Sequence, residues 1–317
     1  MIIETSSTER TLADFVVVHP LEPEDAAITA GMRAAAKPTK GLLRGIEARG
    51  QFDSLMEGVL PRGDVTYAAD TLGDVPGLWV HPAGWRSNGA ILHLHGGWFT
   101  LGSATAFRHL VGHIAARARV RAFIPDYRRA PEHPFPAAAD DVLACYQALA
   151  TRGVYQVALT GDSAGGNLAL GLASRVASQA VARNTALVGV AALSPVTDLT
   201  LSGATYETRA AADPFFTRAQ VAELVHAYLG NADPDDPLAS PLRGPLAGMP
   251  PIRIHVGDDE VLLDDSLRYV ERAVAAGVDA RLDVWMGMPH GFASGVGKLK
   301  ASAQALDALG AFIASLE

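Results

Sequence analysis

Gln156-Val157-Ala158-Leu159-Thr160-Gly161-Asp162-Ser163-Ala164-Gly165-Gly166 is the stretch that decides the fold. Its first five residues read as a short buried strand, and the Ala-rich segment that opens at Ala164 reads as a helix. Between them the chain reverses within a few residues, so Gly161 and Gly165 stand where a Cβ would collide with neighbouring backbone. Such a turn holds Ser163 in a strained conformation at a helix N-terminus, where free N–H groups and the helix dipole favour developing negative charge. Glycine makes up 31 of 317 residues, so Gly-x-Ser-x-Gly alone carries little weight. The strand-turn-helix setting raises it, because that is the setting of a nucleophile elbow, and Ser163 becomes the candidate nucleophile.

Outward from the elbow, short β-rich runs alternate with amphipathic helical stretches. The runs predict eight strands, near residues 65–68, 77–81, 90–95, 121–125, 156–160, 187–193, 252–256 and 280–285. Helices are expected near 106–119, 137–151, 164–179, 264–276 and 298–316. This alternation specifies an α/β fold, a mostly parallel eight-stranded sheet flanked by helices on both faces. Two stretches stand outside it. In residues 1–60, Pro23-Glu24-Asp25 opens a helix carrying Ala26, Ala27, Ile28 and Met32. In residues 202–245 a helical piece around 218–229 lies between Asp213-Pro214 and a segment rich in Pro and Asp from 231 to 237. The expected organisation is a catalytic α/β domain over 61–201 and 246–317, covered at the carboxyl ends of its strands by a helical cap built from 1–60 and 202–245.

Two further motifs bear on chemistry. The strand Ala90-Ile91-Leu92-His93-Leu94-His95 ends in Gly96-Gly97-Trp98, a loop of the kind that offers backbone N–H groups to an oxyanion. Met288-Pro289-His290-Gly291-Phe292 follows the last strand. A nucleophilic serine needs a base, and in this fold the triad runs in chain order serine, acid, histidine, which His290 satisfies. Between them Asp258, Asp259 and Glu260 follow the strand Ile252-Arg253-Ile254-His255-Val256, and each is a candidate to orient the imidazole.

Composition excludes other classes. With 49% hydrophobic and 19% charged residues the chain is globular, and its net charge of -8, with no basic stripe, argues against nucleic acid as a partner. Cys145 is the only cysteine and sits in an apolar stretch, so no disulfide framework is expected and a buried, inert thiol is. The N-terminus lacks a basic region followed by an apolar one, and no apolar run reaches membrane-spanning length, so the expectation is a cytoplasmic protein without a membrane span. His109 and His113 lie four apart on a helix, but the Glu of a metalloprotease helix and a third ligand are missing, so no metal is expected.

These motifs in this order, together with Tyr127-Arg128-Arg129-Ala130-Pro131-Glu132-His133-Pro134-Phe135-Pro136-Ala137-Ala138, resemble the hormone-sensitive-lipase-like carboxylesterases of the α/β-hydrolase superfamily. The resemblance runs from about residue 65 to the C-terminus. It implies a serine carboxylesterase acting on short-chain acyl esters through an acyl-enzyme, with a small-molecule ester as its partner and no cofactor. It implies oxyanion donors in the backbone amides of Gly97, Trp98 and Ala164. The family's loop normally reads His-Gly-Gly-Gly, so Trp98 sets an indole where a glycine is usual, and Val196 stands where many relatives carry tryptophan. His95 is a structural support for the loop in this family. Aligned on the family's Asp-Pro-Leu-x-Asp-Glu, the register sets Glu260 on the catalytic acid, with Asp259 the competing choice. Relatives often dimerise through the edge of the last strand, here 280–285, so a homodimer is a further expectation. The same groups serve a lactonase or an amide deacetylase, and related plant receptors use the fold to bind ligands after losing the histidine.

Overall fold

The computed structural model describes residues 14–178 and 185–316, so the first thirteen residues and the expected helix end at Gln179 lie outside the described residues. The first half runs β1 Val16–His19, α1 Pro23–Ala36, α2 Arg49–Glu57, β2 Val65–Leu72, β3 Val75–Pro82, β4 Arg86–Leu94, α3 Ala104–Ala118, β5 Val120–Pro125 and α4 Ala137–Leu149. The second runs β6 Gln156–Asp162, α5 Ala164–Ala177, β7 Ala186–Leu193, α6 Thr205–Thr208, α7 Arg218–Leu229, β8 Ile252–Gly257, α8 Leu263–Ala275, β9 Ala280–Trp285 and α9 Lys300–Ala314. The strands form one sheet in the order β1-β9-β8-β7-β6-β4-β5-β3-β2. Only β3 runs against the others, because β2 and β3 are joined by the two-residue turn Gly73-Asp74, both at positive φ, as the strand twist of a tight hairpin requires.

The sheet has nine strands where the sequence predicts eight. The additional strand is β1, which pairs in parallel with β9 from Val16↔Leu282 to His19↔Trp285. Its β-branched run Val16-Val17-Val18 suits a strand, and His19 fastens the end. The imidazole lies 2.7 Å from Asp283 Oδ1 and stacks on the Trp285 indole at 3.8 Å. Residues 16–19 are therefore sheet, within a stretch expected to serve the cap. They also cover the β9 edge through which a homodimer was expected.

Successive strand residues alternate between two cores, as the pleat demands. Leu92 and Leu159 pack with α4, α5 and α8 on one face, while Ile91 and Ala158 pack with α3 and α9 on the other. Cys145 is buried in the first core, its thiol pushed up to about 12 by desolvation. The two stretches outside the α/β alternation meet one another. Gly41 N–H donates to Phe215 O at 3.0 Å, and Gln220 Nε2 to Leu43 O at 2.7 Å. Gln220 and Thr217 also close a capping box that starts α7. α1 is tied to the catalytic half by Asp25, whose carboxylate accepts the N–H groups of Lys300 and Ala301 at 2.8 Å each and so caps α9.

Candidate active site

β6 ends at Asp162 and α5 begins at Ala164, leaving Ser163 between them at φ 53° and ψ −119°. A non-glycine residue there is strained and persists only if its neighbours fix it. Ser163 N–H donates to Leu193 O at 2.8 Å, and Ser163 O accepts from Asn167 and Val196 at 3.2 and 3.1 Å. A Cβ at Gly165 would strike the Leu94 carbonyl, and one at Gly161 would strike that of Gly165, so the glycines allow α5 to start against the end of β4. That close approach sets the serine beside the loop that follows β4. Ser163 is 4% exposed and lines a small cleft with Asp162, Ser194, His290, Gly291 and Ala293.

His290 stands in the turn after β9, with Nδ1 2.7 Å from Glu260 Oε2. A carboxylate only accepts, so Nδ1 carries the proton and Nε2 is left with a lone pair. The other carboxylate oxygen of Glu260 accepts from Ser194 Oγ at 2.7 Å and Gly257 N–H at 2.6 Å, which fixes the acid in its fully buried position. Burial alone would lower the His290 pKa, but the charge and hydrogen bond of Glu260, with the charges of Asp213 and Asp162, outweigh it and hold the value above the usual 6.5. The competing acids point elsewhere. Asp259 pairs with Arg33 of α1, and Asp258 accepts the Gly287 N–H. Among the described residues Ser163 Oγ and His290 line the same cleft without a hydrogen bond between them.

The loop after β4 is held from several sides. Asp162 Oδ1 accepts the Gly96 N–H at 3.0 Å, tying the loop to the elbow. Arg49 of α2 donates to Thr100 O at 2.8 Å, and Phe99 stacks on Tyr228 of α7 at 3.7 Å. Gly97 has φ 114°, and Trp98 and Phe99 have φ 51° and 61°, so Trp98 keeps a backbone conformation that favours glycine. Among the described residues the N–H groups of Gly97 and Trp98 donate to no protein acceptor. Ala164 N–H, at the first position of α5, is one of the free donors every helix start leaves. The Trp98 indole is buried and meets Phe216 edge to face at 5.5 Å, and Phe216 meets His290 the same way at 5.0 Å.

His95 is buried, stacked on Tyr127 at 4.2 Å, and its pKa is pushed down to about 3 by desolvation, so it stays neutral beneath the loop. His113 Nε2 contacts Leu60 O at 2.8 Å and its Nδ1 lies 3.0 Å from the Arg117 guanidinium. Sequence reasoning left Asp162, Ser194, Asp213 and Phe216 without a role. Asp162 and Ser194 stood next to recognised motifs, whereas the places of Asp213 and Phe216 depend on how the insertion folds back. No helix among the described residues is long and apolar enough to cross a membrane.

Residues 91–294 match the model of a protein family described as having an alpha/beta hydrolase fold. The chain is 38% identical to an acetyl-hydrolase of Streptomyces hygroscopicus over 234 residues, 73% of this chain and 75% of that protein. It is 36% identical to an esterase of Acinetobacter venetianus over 230 residues, 72% of this chain and 75% of that one. Among solved structures, an esterase from the bacterial hormone-sensitive lipase family superposes with a TM-score of 0.86 at 33% identity, covering 93% of this chain and 99% of that one. With its fold, the elbow and these likenesses agreeing, the chain belongs to the hormone-sensitive-lipase-like carboxylesterases, carboxylic ester hydrolases of the α/β-hydrolase superfamily.

Proposed function

We propose that this protein hydrolyses short-chain acyl esters of small molecules by a serine mechanism, with Ser163 as nucleophile, His290 as base and Glu260 as the orienting acid. The observation that carries the reading is the 2.7 Å contact of His290 with buried Glu260, His290 lining the same cleft as a serine at φ 53°. His290 Nε2 takes the Ser163 proton as Oγ attacks the ester carbonyl. The amides of Gly97, Trp98 and Ala164 stabilise the oxyanion, a contribution of about 3 kcal/mol per donor in comparable sites. His290 then returns the proton to the departing alcohol, and water activated by the same imidazole releases the acid from the acyl-enzyme. Every step uses groups of this chain, so the mechanism needs no cofactor. Phe216, from the insertion 202–245, meets Trp98 and the His290 base, and this aromatic wall favours small acyl groups.

The test is a panel of p-nitrophenyl esters of graded acyl length, with a lactone and an anilide added. Wild-type protein is expected to turn over acetate and butyrate esters fastest, and Ser163→Ala to lose about three orders of magnitude while keeping its circular dichroism. Undiminished hydrolysis in Ser163→Ala removes the mechanism, and turnover confined to the lactone or the anilide removes the substrate class.

A further inference from the structure

Asp213 is a fully buried carboxylate that the mechanism above leaves unused, and it lies in the insertion between α6 and α7. One carboxylate oxygen accepts the N–H groups of Phe215 and Phe216 at 2.8 and 2.9 Å. The other reaches out of the insertion and accepts the N–H of Val261, the residue after Glu260, at 3.0 Å. One side chain thus sets two parts of the site. It turns the main chain so that the Phe216 ring stands edge to face against His290, and it fixes the loop that presents Glu260 to the same imidazole. Lys40, from the N-terminal stretch, holds this turn through the carbonyl oxygens of Ala210 and Asp213, not through the carboxylate.

We infer that Asp213 is a positioning residue for the triad, coupling the cap to the Glu260–His290 pair and standing as a second negative charge behind the imidazolium that forms during catalysis. The inference rests on the esterase reading given above. The charges that act most strongly on His290 are Glu260 from the loop after β8, Asp213 from the insertion and Asp162 from the elbow, with the neutral Phe216 ring against its side. All three charges are negative, so each stabilises the protonated imidazole in a site where burial leaves water little screening power. Position matters as much as charge, because a misplacement of about 1 Å in a catalytic group costs on the order of 10²-fold in rate. Were Asp213 only a brace for the insertion, its removal would slow the enzyme or unfold it without moving the titration of His290.

The pH dependence of kcat/KM for p-nitrophenyl acetate separates the two roles in wild type, Asp213→Asn, Asp213→Ser and Phe216→Leu. Asn and Ser keep an oxygen for the Phe215 and Phe216 N–H groups, but both lack the charge and the oxygen that serves Val261. In both neutral variants kcat is expected to fall about tenfold or more, and the acid limb to move down by roughly half a pH unit or more, since less negative charge faces His290. Phe216→Leu keeps the carboxylate and is expected to lower kcat with the limb in place. The limb's midpoint does not depend on how much of a variant folds, so a partly folded preparation still reports it. A wild-type limb in both neutral variants, at any rate, overturns the inference, as does wild-type kcat in both. A wild-type protein inert toward all esters would overturn the esterase reading instead.

Discussion

Replacing Trp98 by glycine and by alanine is expected to give an inverted order of stability. Trp98 is 3% exposed and its ring packs against Phe216. Truncating a buried tryptophan to alanine costs about 3–5 kcal/mol, and Trp98→Ala should fall in that range. Alanine retains the positive φ of 51° that Trp98 adopts. A side-chain-bearing residue there costs ~1–2 kcal/mol over glycine. Glycine recovers that and gives back ~0.5–1 kcal/mol through its freer unfolded chain. Trp98→Gly should therefore be about 0.5–1 kcal/mol more stable than Trp98→Ala, whereas glycine is ordinarily the worse of the two. Urea unfolding of the three proteins at one pH measures this, with equal m-values as the check that the unfolded states match. Because the proposed oxyanion donor is main chain, Trp98→Gly should hydrolyse p-nitrophenyl acetate within about tenfold of wild type and gain about tenfold or more in relative rate on a branched acyl ester. If alanine is the more stable replacement, the backbone at 98 is not strained in the way its φ implies. If small and bulky esters lose activity equally, the indole supports the loop and is not a wall of the acyl site.

Three further outcomes follow from the site and its surroundings. Glu260→Ala should lower kcat by roughly 10²-fold or more, because His290 loses the group that fixes its tautomer, while Asp259→Ala loses only the contact with Arg33 and should stay within several-fold; the opposite ranking in folded proteins would make Asp259 the acid. In the proposed mechanism only neutral His290 accepts the serine proton, so kcat/KM should rise with pH through a midpoint above the ordinary 6.5, and a midpoint at or below that value would mean burial outweighs the facing carboxylates. Asp265, in α8, is fully buried, and desolvation pushes its carboxyl from 3.8 up to about 7 despite hydrogen bonds from the N–H groups of Thr197 and Asp198. Between those two values the unfolded chain gives up this proton and the folded one keeps it, so Asp265 erodes stability as pH rises through that window and no further above it. Asp265→Asn, which keeps an acceptor for both N–H groups, should gain on wild type in thermal melts across the same window; a deficit that is constant with pH would show that the wild-type carboxylate is ionised throughout.

The elements of the candidate site were legible because the chemistry they would serve restricts residue type and spacing together. An elbow needs Gly161 and Gly165 around Ser163, and the order serine, acid, histidine selects His290 from ten histidines. The helix starts at Pro23, Ala137 and Arg218 were readable from local signals of Pro, capping and apolar periodicity. β1 was not, although Val16-Val17-Val18 carries strand character, because its partner β9 lies at the far end of the chain and no local pattern records such a pairing. β2 extends beyond the expected 65–68 to Leu72 because Asp70 and Thr71 stand on the outer edge, where polar side chains do not interrupt a strand. Three adjacent acids after β8 cannot be ranked by their own sequence. Asp259 turns to Arg33 and Glu260 turns to His290, a difference of side-chain direction that only the fold supplies. Phe216 and Asp213 were unreadable for the same reason, since the insertion that carries them must first fold over the site.

Whether Ser163 forms the covalent intermediate is the claim on which the rest depends, and a p-nitrophenyl phosphonate tests it directly. The reagent places a tetrahedral phosphorus where the ester carbonyl would react and is trapped by an activated serine without turnover. Intact-protein and peptide mass spectrometry should find one adduct per chain, on the peptide containing Ser163, with loss of esterase activity in step with labelling and no adduct in Ser163→Ala. Labelling at another residue, or full inactivation with Ser163 unmodified, would contradict the account.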